Sequence, residues 1–294
     1  MTLEDFLKKR FHASTTARYI GEINLFLSQN PTAKNATYKN IVEYIWSMRS
    51  RNAGKNKLQT ALLAVKQYYF FLMDSGQRKD HPCRYMTLRD RRSKQIQLQD
   101  LFTANDLELL LERKERYRIL EIRNRVVISL LIYQGLSAGE LTRLAVKDIN
   151  LKQGTIYIKS STLTNSRTIG LQPAQIMLLH QYITAVRPKL ASRKKGNNKQ
   201  QTSNDKLILT WQGTAENGEG INYLISTYKK KFPGRNLNPR TIRQSVITNL
   251  LKQGKDLRIV QAYIGHKSPD TTEKYKQSDA EELQAEINKY HPMR

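Results

Sequence analysis

Two arginines spaced one helical turn apart are the first residues of this sequence that suggest chemistry. Arg240 and Arg243 follow Asn238 and Pro239, residue types typical of a helix N-cap and a first helical position. The i, i+3 spacing places two guanidinium groups side by side, which is costly unless an anion lies between them. Phosphate fits the planar, bidentate fork of arginine well. In a chain with 50 lysines and arginines, two surface arginines on a basic helix are the simpler alternative.

A histidine and a tyrosine follow on the C-terminal side of these arginines. The predicted helix LRIVQAYI ends at Gly265, and His266 comes directly after it. Tyr275 lies nine residues after His266, on a predicted short helix. A phenol is mostly protonated at neutral pH, so it needs nearby cationic groups to act as a nucleophile. Arg240, Arg243 and His266 are the candidates for that role.

The order Arg-x-x-Arg, Gly-His and Tyr, within the text TNLLKQGKDLRIVQAYIGHKSPDTTEKY, resembles the C-terminal signature of the tyrosine recombinases, the phage integrase family. The resemblance implies that Tyr275 is the nucleophile and that Arg243 and His266 stabilise the reacting phosphate. Arg240 stands where the family usually has histidine, and it would keep a hydrogen-bond donor there. The implied chemistry is transesterification through a 3′-phosphotyrosine, with no metal and no other cofactor.

A second segment, YQGLSAGELTRLAVKDI, resembles the first signature box of the same family. In that box the residue after Gly-Leu is an arginine that binds the scissile phosphate, whereas this chain has Ser137. A neutral hydroxyl cannot supply the charge of an arginine. Arg143, Arg123 and Arg125 are the alternatives for that charge, and the sequence does not choose among them. Ser137 is also fully explained as a helix N-cap, with Glu140 completing a capping box.

A β-hairpin is predicted between these two segments. TIYIK (155–159) alternates apolar and polar residues, and RTIGL (167–171) follows as the returning strand. The family has a catalytic lysine in this hairpin, so the resemblance makes Lys159 the candidate general acid. Counted back from Arg167, the usual lysine position lies nearer Thr162, and a solvent-exposed lysine at a strand end is an equally good interpretation. LILTW (207–211) is predicted as a further short strand.

The chain is long enough for two domains. We predict a mainly α fold with a small antiparallel β-sheet (α+β), consisting of a helical core-binding domain at 1–90, a basic linker at 91–100 and a catalytic domain with a C-terminal tail helix at 101–294. Within the first domain, a basic loop before the longest helix is the candidate DNA-backbone contact, with a solvated loop as an equal alternative. Its residues are Arg49, Arg51, Lys55 and Lys57.

The charge of the chain predicts a polyanionic partner. The formal net charge is +25 and the pI is about 10.1, which favours nucleic acid through counterion release. A basic membrane-surface protein is the competing interpretation, but no apolar run approaches about 18 residues and no signal peptide is present. The single cysteine, Cys83, excludes an internal disulfide and leaves no cysteine cluster for zinc.

Together these features predict a site-specific DNA recombinase or integrase of the mobile-element or phage type. The resemblance implies double-stranded DNA as the partner, a homotetramer on two DNA sites, and a cytoplasmic, nucleoid-associated location without membrane attachment. The alternative is a catalytically impaired DNA-binding protein on the same fold, because Ser137 and Arg240 depart from the family pattern.

Overall fold

The computed structural model describes residues 1–89, 101–193 and 205–275. The chain divides into two compact units, Met1–Lys94 and Gln95–Arg294. The architecture is mainly helical with one small antiparallel sheet, which confirms the predicted fold class. The predicted linker at 91–100 and the C-terminal tail helix beyond Tyr275 lie outside the described residues, so the domain boundaries stay a prediction.

Four helices form the first unit, namely α1 (Leu3–Arg10), α2 (Ala13–Gln29), α3 (Tyr38–Ser50) and α4 (Lys55–Asp74). The Thr2 side chain and Asp5 form the capping box that opens α1. Helix α4 is the centre of this unit because apolar residues cover most of its circumference. Its Tyr69 is fully buried, and the phenol donates a hydrogen bond to the Ala33 carbonyl at 2.8 Å.

The second unit begins with short helices that surround a long buried one. These are α5 (Ala104–Glu108), α6 (Arg118–Tyr133) and α7 (Ala138–Arg143). Helix α6 has an almost continuous buried surface, and it packs against the helix that contains the arginine pair. The antiparallel sheet follows, with β1 (Ile149–Asn150), β2 (Thr155–Ile158) and β3 (Arg167–Gly170) in that spatial order.

The remaining helices of the second unit are α8 (Pro173–Gln181), α9 (Arg187–Ala191), α10 (Gly218–Ser226), α11 (Pro239–Lys252) and α12 (Leu257–Ile264). A π-helical segment, Tyr182–Val186, joins α8 to α9, and residues 269–275 are again helical. Within the described ranges, no helix has the length and apolarity that a membrane crossing requires.

The strand predicted at 207–211 is wrong. Its backbone forms isolated contacts instead of a ladder: the Leu207 amide donates to the Leu144 carbonyl at 2.8 Å, and Leu209 forms a single bridge with Ala215. The apolar residues of the segment are buried, which explains the strand-like pattern. Burial alone does not make a strand, because a strand also needs a neighbour with a matching hydrogen-bond register.

Candidate active site

Helix α11 positions the arginine pair. Asn238 caps it by accepting hydrogen bonds from the Arg240 and Thr241 amides, with Pro239 at the first helical position. Arg243 lies at the edge of the apolar face and points inward. Its guanidinium donates to the Gly135 carbonyl at 2.6 Å, to Glu140 Oε2 at 2.9 Å and to the Ile264 carbonyl at 2.9 Å. Three partners from two separate segments therefore fix its orientation.

Arg240 and Arg243 have different surroundings. Arg240 is exposed, whereas the Arg243 side chain is only 11% exposed. Burial lowers the pKa of Arg243 and the Arg167 charge lowers it further, while Glu140 and Tyr275 oppose both effects. Arg240 therefore lies outside the buried group of charges around Arg243. Its charge still lowers the pKa of the Tyr275 phenol.

The turn after α12 places His266. Gly265 ends the helix in the left-handed conformation, with φ of 78°, which favours glycine. The tip of the β2–β3 hairpin holds this turn: the Asn165 amide donates to the Gly265 carbonyl at 2.8 Å, and Thr164 forms a β-bridge with His266. His266 Nδ1 lies 2.9 Å from the buried Thr272 hydroxyl, which fixes the ring orientation.

Burial determines the charge state of His266. It lowers the pKa of the imidazole, and with the charges of Arg243 and Arg167 the value is about 4, although Glu140 acts in the opposite direction. The ring is therefore neutral at pH 7. It can donate one hydrogen bond or accept a proton, but it adds no positive charge to the site.

Tyr275 lies at the end of the helical residues 269–275 and is only 9% exposed. Burial raises the pKa of its phenol above the ordinary 10.0, and a hydrogen bond with the Gln244 side chain and the charges of Arg243 and Arg240 oppose the rise. The Tyr275 phenol thus lies within electrostatic range of the two arginines of α11. The phenol is therefore protonated at neutral pH.

Ser137 is the N-cap of α7, as predicted. Its hydroxyl accepts from the Glu140 amide at 3.2 Å, and its backbone amide and hydroxyl both donate to Glu140 Oε2 at 2.9 Å. Glu140 is 2% exposed and also accepts hydrogen bonds from Arg243 and Arg167. Burial would raise the pKa of Glu140, but the Arg167 hydrogen bond and the Arg243 charge outweigh it and lower the pKa to about 2.

Arg167 is a residue of this site that sequence reasoning missed. It begins β3, opposite Ile158, and its Nη1 donates to Glu140 Oε1 at 2.6 Å. The sequence contained one signal, because alternation along RTIGL puts Arg167 on the same face as Ile169. Both residues are buried, so Arg167 points into the protein. We call Glu140, Arg167 and Arg243 the Glu140 cluster.

The three arginines considered in place of the missing first arginine lie elsewhere. Arg123 is buried on α6, where it donates to the Leu209 carbonyl at 3.0 Å and pairs with Glu216. Arg125 is exposed and lines a surface cavity together with Met177 and His180. Arg143 is exposed at the end of α7. None of the three donates to Glu140 in the part of the chain that the structure describes.

Lys159 follows β2 directly, and its side chain is 50% exposed. Its ammonium group lies 3.7 Å from Asp148 Oδ1. A lysine side chain that is half exposed can change its orientation, and a partly exposed ion pair at this distance contributes little to stability. The general-acid role of Lys159 therefore stays a prediction.

The predicted DNA-backbone residues lie around the turn between α3 and α4 in the first unit. Arg49 is in the last turn of α3, Arg51 is its C-cap, and Lys55 and Lys57 are in the first turn of α4. All four are exposed, and they lie around the N-terminus of α4, the end of a helix dipole that favours anions. Among the residues described, no group of three or more His, Cys, Asp or Glu side chains could hold a metal ion.

Comparison with known proteins gives consistent matches. Residues 100–282 match the Phage integrase family. The tyrosine recombinase XerD of Listeria innocua serovar 6a is 26% identical over 303 residues, covering 99% of this chain and 98% of that protein. The tyrosine recombinase XerC of Staphylococcus saprophyticus is 23% identical over 291 residues, covering 97% and 94%.

Solved structures show the same fold. A XerH site-specific recombinase bound to a palindromic difH substrate, in a post-cleavage complex, matches with a TM-score of 0.69 at 20% identity, over 93% of this chain and 78% of that one. A lambda integrase dimer bound to a COC′ core site matches with a TM-score of 0.66 at 15% identity, over 92% of each chain.

Proposed function

This chain belongs to the phage integrase family, and from that membership we propose that it is a site-specific DNA recombinase whose nucleophile is Tyr275. The single observation that supports this role is the position of the Tyr275 phenol, buried beside Arg243 and within the field of Arg240. Two other tyrosines lie near Tyr275 in the sequence. The Tyr263 hydroxyl is already engaged, since it donates to the Tyr133 carbonyl at 2.8 Å, and Tyr290 lies outside the described residues.

The proposed reaction is two successive transesterifications. The Tyr275 phenol gives up its proton to water as its oxygen attacks the phosphorus of a DNA phosphodiester, the bond to the 5′-oxygen breaks, and a 3′-phosphotyrosine holds the strand. A 5′-hydroxyl from a partner strand then attacks the phosphotyrosine and releases Tyr275. Lys159 is the proposed donor of the proton that the leaving 5′-oxygen takes up. Neither step needs a metal or another cofactor, because the energy of the broken bond is kept in the covalent intermediate.

The transition state places additional negative charge on the non-bridging oxygens. Arg243 is held rigidly by Glu140, Gly135 and Ile264, so its guanidinium needs no reorganisation when the charge develops. Arg240 is exposed and its donors are accessible to DNA. His266 is neutral at pH 7, so we propose that it donates a hydrogen bond instead of a charge.

The partner is double-stranded DNA. The net charge of +25 favours it, and we propose that Arg49, Arg51, Lys55 and Lys57 contact its backbone. We propose that the protein acts as a homotetramer on two DNA sites. We also propose that it is cytoplasmic and nucleoid-associated, where it would meet its DNA. A DNA-binding protein without cleavage activity is not favoured, because Tyr275 and Arg243 still lie together.

Covalent capture on nicked DNA tests the proposed nucleophile. Binding sites are first selected from a random duplex pool with the wild-type protein, and the selected site is then synthesised with a nick beside the scissile phosphate. Wild-type protein should form a covalent adduct on a denaturing gel. Tyr275→Phe removes only the hydroxyl, so it should bind the same duplex and form no adduct.

Tyr263→Phe is the matched control, because it also removes one partly buried phenol hydroxyl. It should form the adduct at a rate close to wild type. An adduct that persisted in Tyr275→Phe would exclude this tyrosine as the nucleophile.

A further inference from the structure

We propose that Arg167 binds the scissile phosphate and supplies the charge that Ser137 cannot. The proposal rests on the recombinase function proposed above. Arg167 uses one of its nitrogens, Nη1, to donate to Glu140 at 2.6 Å. The other two, Nε and Nη2, are buried and have no hydrogen-bond partner among the residues that the structure describes. The Arg167 side chain is only 5% exposed, so these donors are shielded from bulk solvent.

The two unsatisfied nitrogens form one edge of the guanidinium. Nε and Nη2 direct their N–H groups in parallel, and this edge is the fork that accepts two oxygens of a phosphate or carboxylate. A buried donor without a partner is costly, so a native protein rarely keeps two on one side chain unless a ligand completes them. A bidentate anion satisfies both donors at once.

The ion pair with Glu140 does not by itself explain Arg167. Glu140 already has Arg243 as a cationic partner at 2.9 Å and two hydrogen bonds from Ser137. One guanidinium is enough to neutralise one carboxylate. The second guanidinium leaves the Glu140 cluster with one excess positive charge, since His266 is neutral at pH 7. A phosphodiester has one negative charge, so its binding neutralises the cluster.

Arg167 also lies next to the turn that contains His266. A Cβ atom on Gly265 would lie 2.5 Å from Arg167 Nη1 and 3.0 Å from its Cζ, so the guanidinium packs directly against the Gly265–His266 turn. Arg167 and Arg243 both lower the pKa of His266, so their charges lie within electrostatic range of the imidazole. Ser137 is bonded to the same carboxylate as Arg167. Arg167, on β3, and Ser137, at the start of α7, thus donate hydrogen bonds to the same Glu140 carboxylate.

Paired DNA substrates test this role. One nicked duplex has an ordinary phosphodiester at the scissile position, and the other has a methylphosphonate, which replaces a charged non-bridging oxygen with a methyl group. Arg167→Gln should slow adduct formation on the phosphodiester by about 100-fold, the typical effect of removing one preorganised donor. On the methylphosphonate, wild type and Arg167→Gln should react within a few-fold of each other.

Two further variants keep the experiment decisive. Arg167→Lys retains the charge and a partner for Glu140 but loses the two-donor edge, so it should be about 10-fold slower than wild type on the phosphodiester only. It replaces Arg167→Gln if that variant does not fold. Arg125→Gln is the matched control, since it removes an exposed arginine from the same unit, and it should behave as wild type on both substrates.

The outcomes separate this inference from the proposed function. If wild-type protein forms no adduct on the selected site, the recombinase proposal is wrong. If wild type forms the adduct and the Arg167 variants match it, or lose the same factor on both substrates, only the phosphate-binding role of Arg167 is wrong. A loss confined to the phosphodiester supports it.

Discussion

Replacing Glu140 by glutamine removes one charge from the Glu140 cluster and leaves its shape almost the same. Glutamine still accepts hydrogen bonds at the third helical position, so the capping box with Ser137 is retained. The substitution leaves Arg167 and Arg243 facing each other without a carboxylate between them. Their side chains are only 5% and 11% exposed, so solvent cannot screen the repulsion effectively. The glutamine amide also places a donor where one carboxylate oxygen accepted from Arg167, or from Arg243 and Ser137, so the variant measures the loss of the charge together with one acceptor.

Two estimates of the magnitude agree. The pKa of Glu140 is about 2 in the folded protein and 4.5 ordinarily, and this difference corresponds to about 3 kcal/mol in favour of the ionised form. Removing one partner of a buried ion pair generally costs about 3–5 kcal/mol. We therefore expect the free energy of unfolding to fall by about 3 kcal/mol. For a unit of this size, that lowers Tm by about 6–12 °C.

Thermal and urea unfolding of the full chain measure the effect. Glu219→Gln is the matched control, since Glu219 is an exposed carboxylate in the first turn of α10 and its loss should cost at most about 1 kcal/mol. If Glu140→Gln were as stable as the control, the two arginines would not depend on Glu140, and the electrostatic description of the site would be refuted.

Two more perturbations concern the turn beside the cluster. Gly265→Ala should destabilise the protein and reduce adduct formation more than Gly254→Ala. Both glycines are left-handed, with φ of 78° and 76°, but only at Gly265 would the new Cβ meet Arg167, at 2.5 Å. Equal losses in thermal unfolding would remove the steric argument. The free energy of unfolding should also fall as the pH decreases from 6.5 to 4. In this range His266 binds a proton in the unfolded chain, whose pKa is 6.5, but not in the folded protein, whose pKa is about 4. The loss in the free energy of unfolding is up to about 3 kcal/mol. Urea unfolding between pH 6.5 and 4 should show that the free energy of unfolding changes less with pH in His266→Gln than in wild type. An equal change in both proteins would contradict the burial of His266.

The residues at which several helices begin and end can be predicted from the sequence alone. Asn238 and Ser137 cap helices where their side chains predict it, and Gly265 ends α12 in the left-handed conformation. These features depend on interactions within one turn of a helix, so neighbouring residues suffice to determine them. The family signature is of the same kind, because it consists of residue types at fixed spacing in short segments.

Only the tertiary structure decides which charges meet. Arg167 and Arg243 lie 27 and 103 residues from Glu140 along the chain, and no periodicity connects such positions. The neutral state of His266 likewise depends on how much protein covers it. The strand predicted at 207–211 is wrong for the same reason, since its apolar residues are buried but, in the described ranges, no partner strand is aligned with them. Long-range pairing depends on packing between distant segments, and the sequence specifies that packing only through the whole fold.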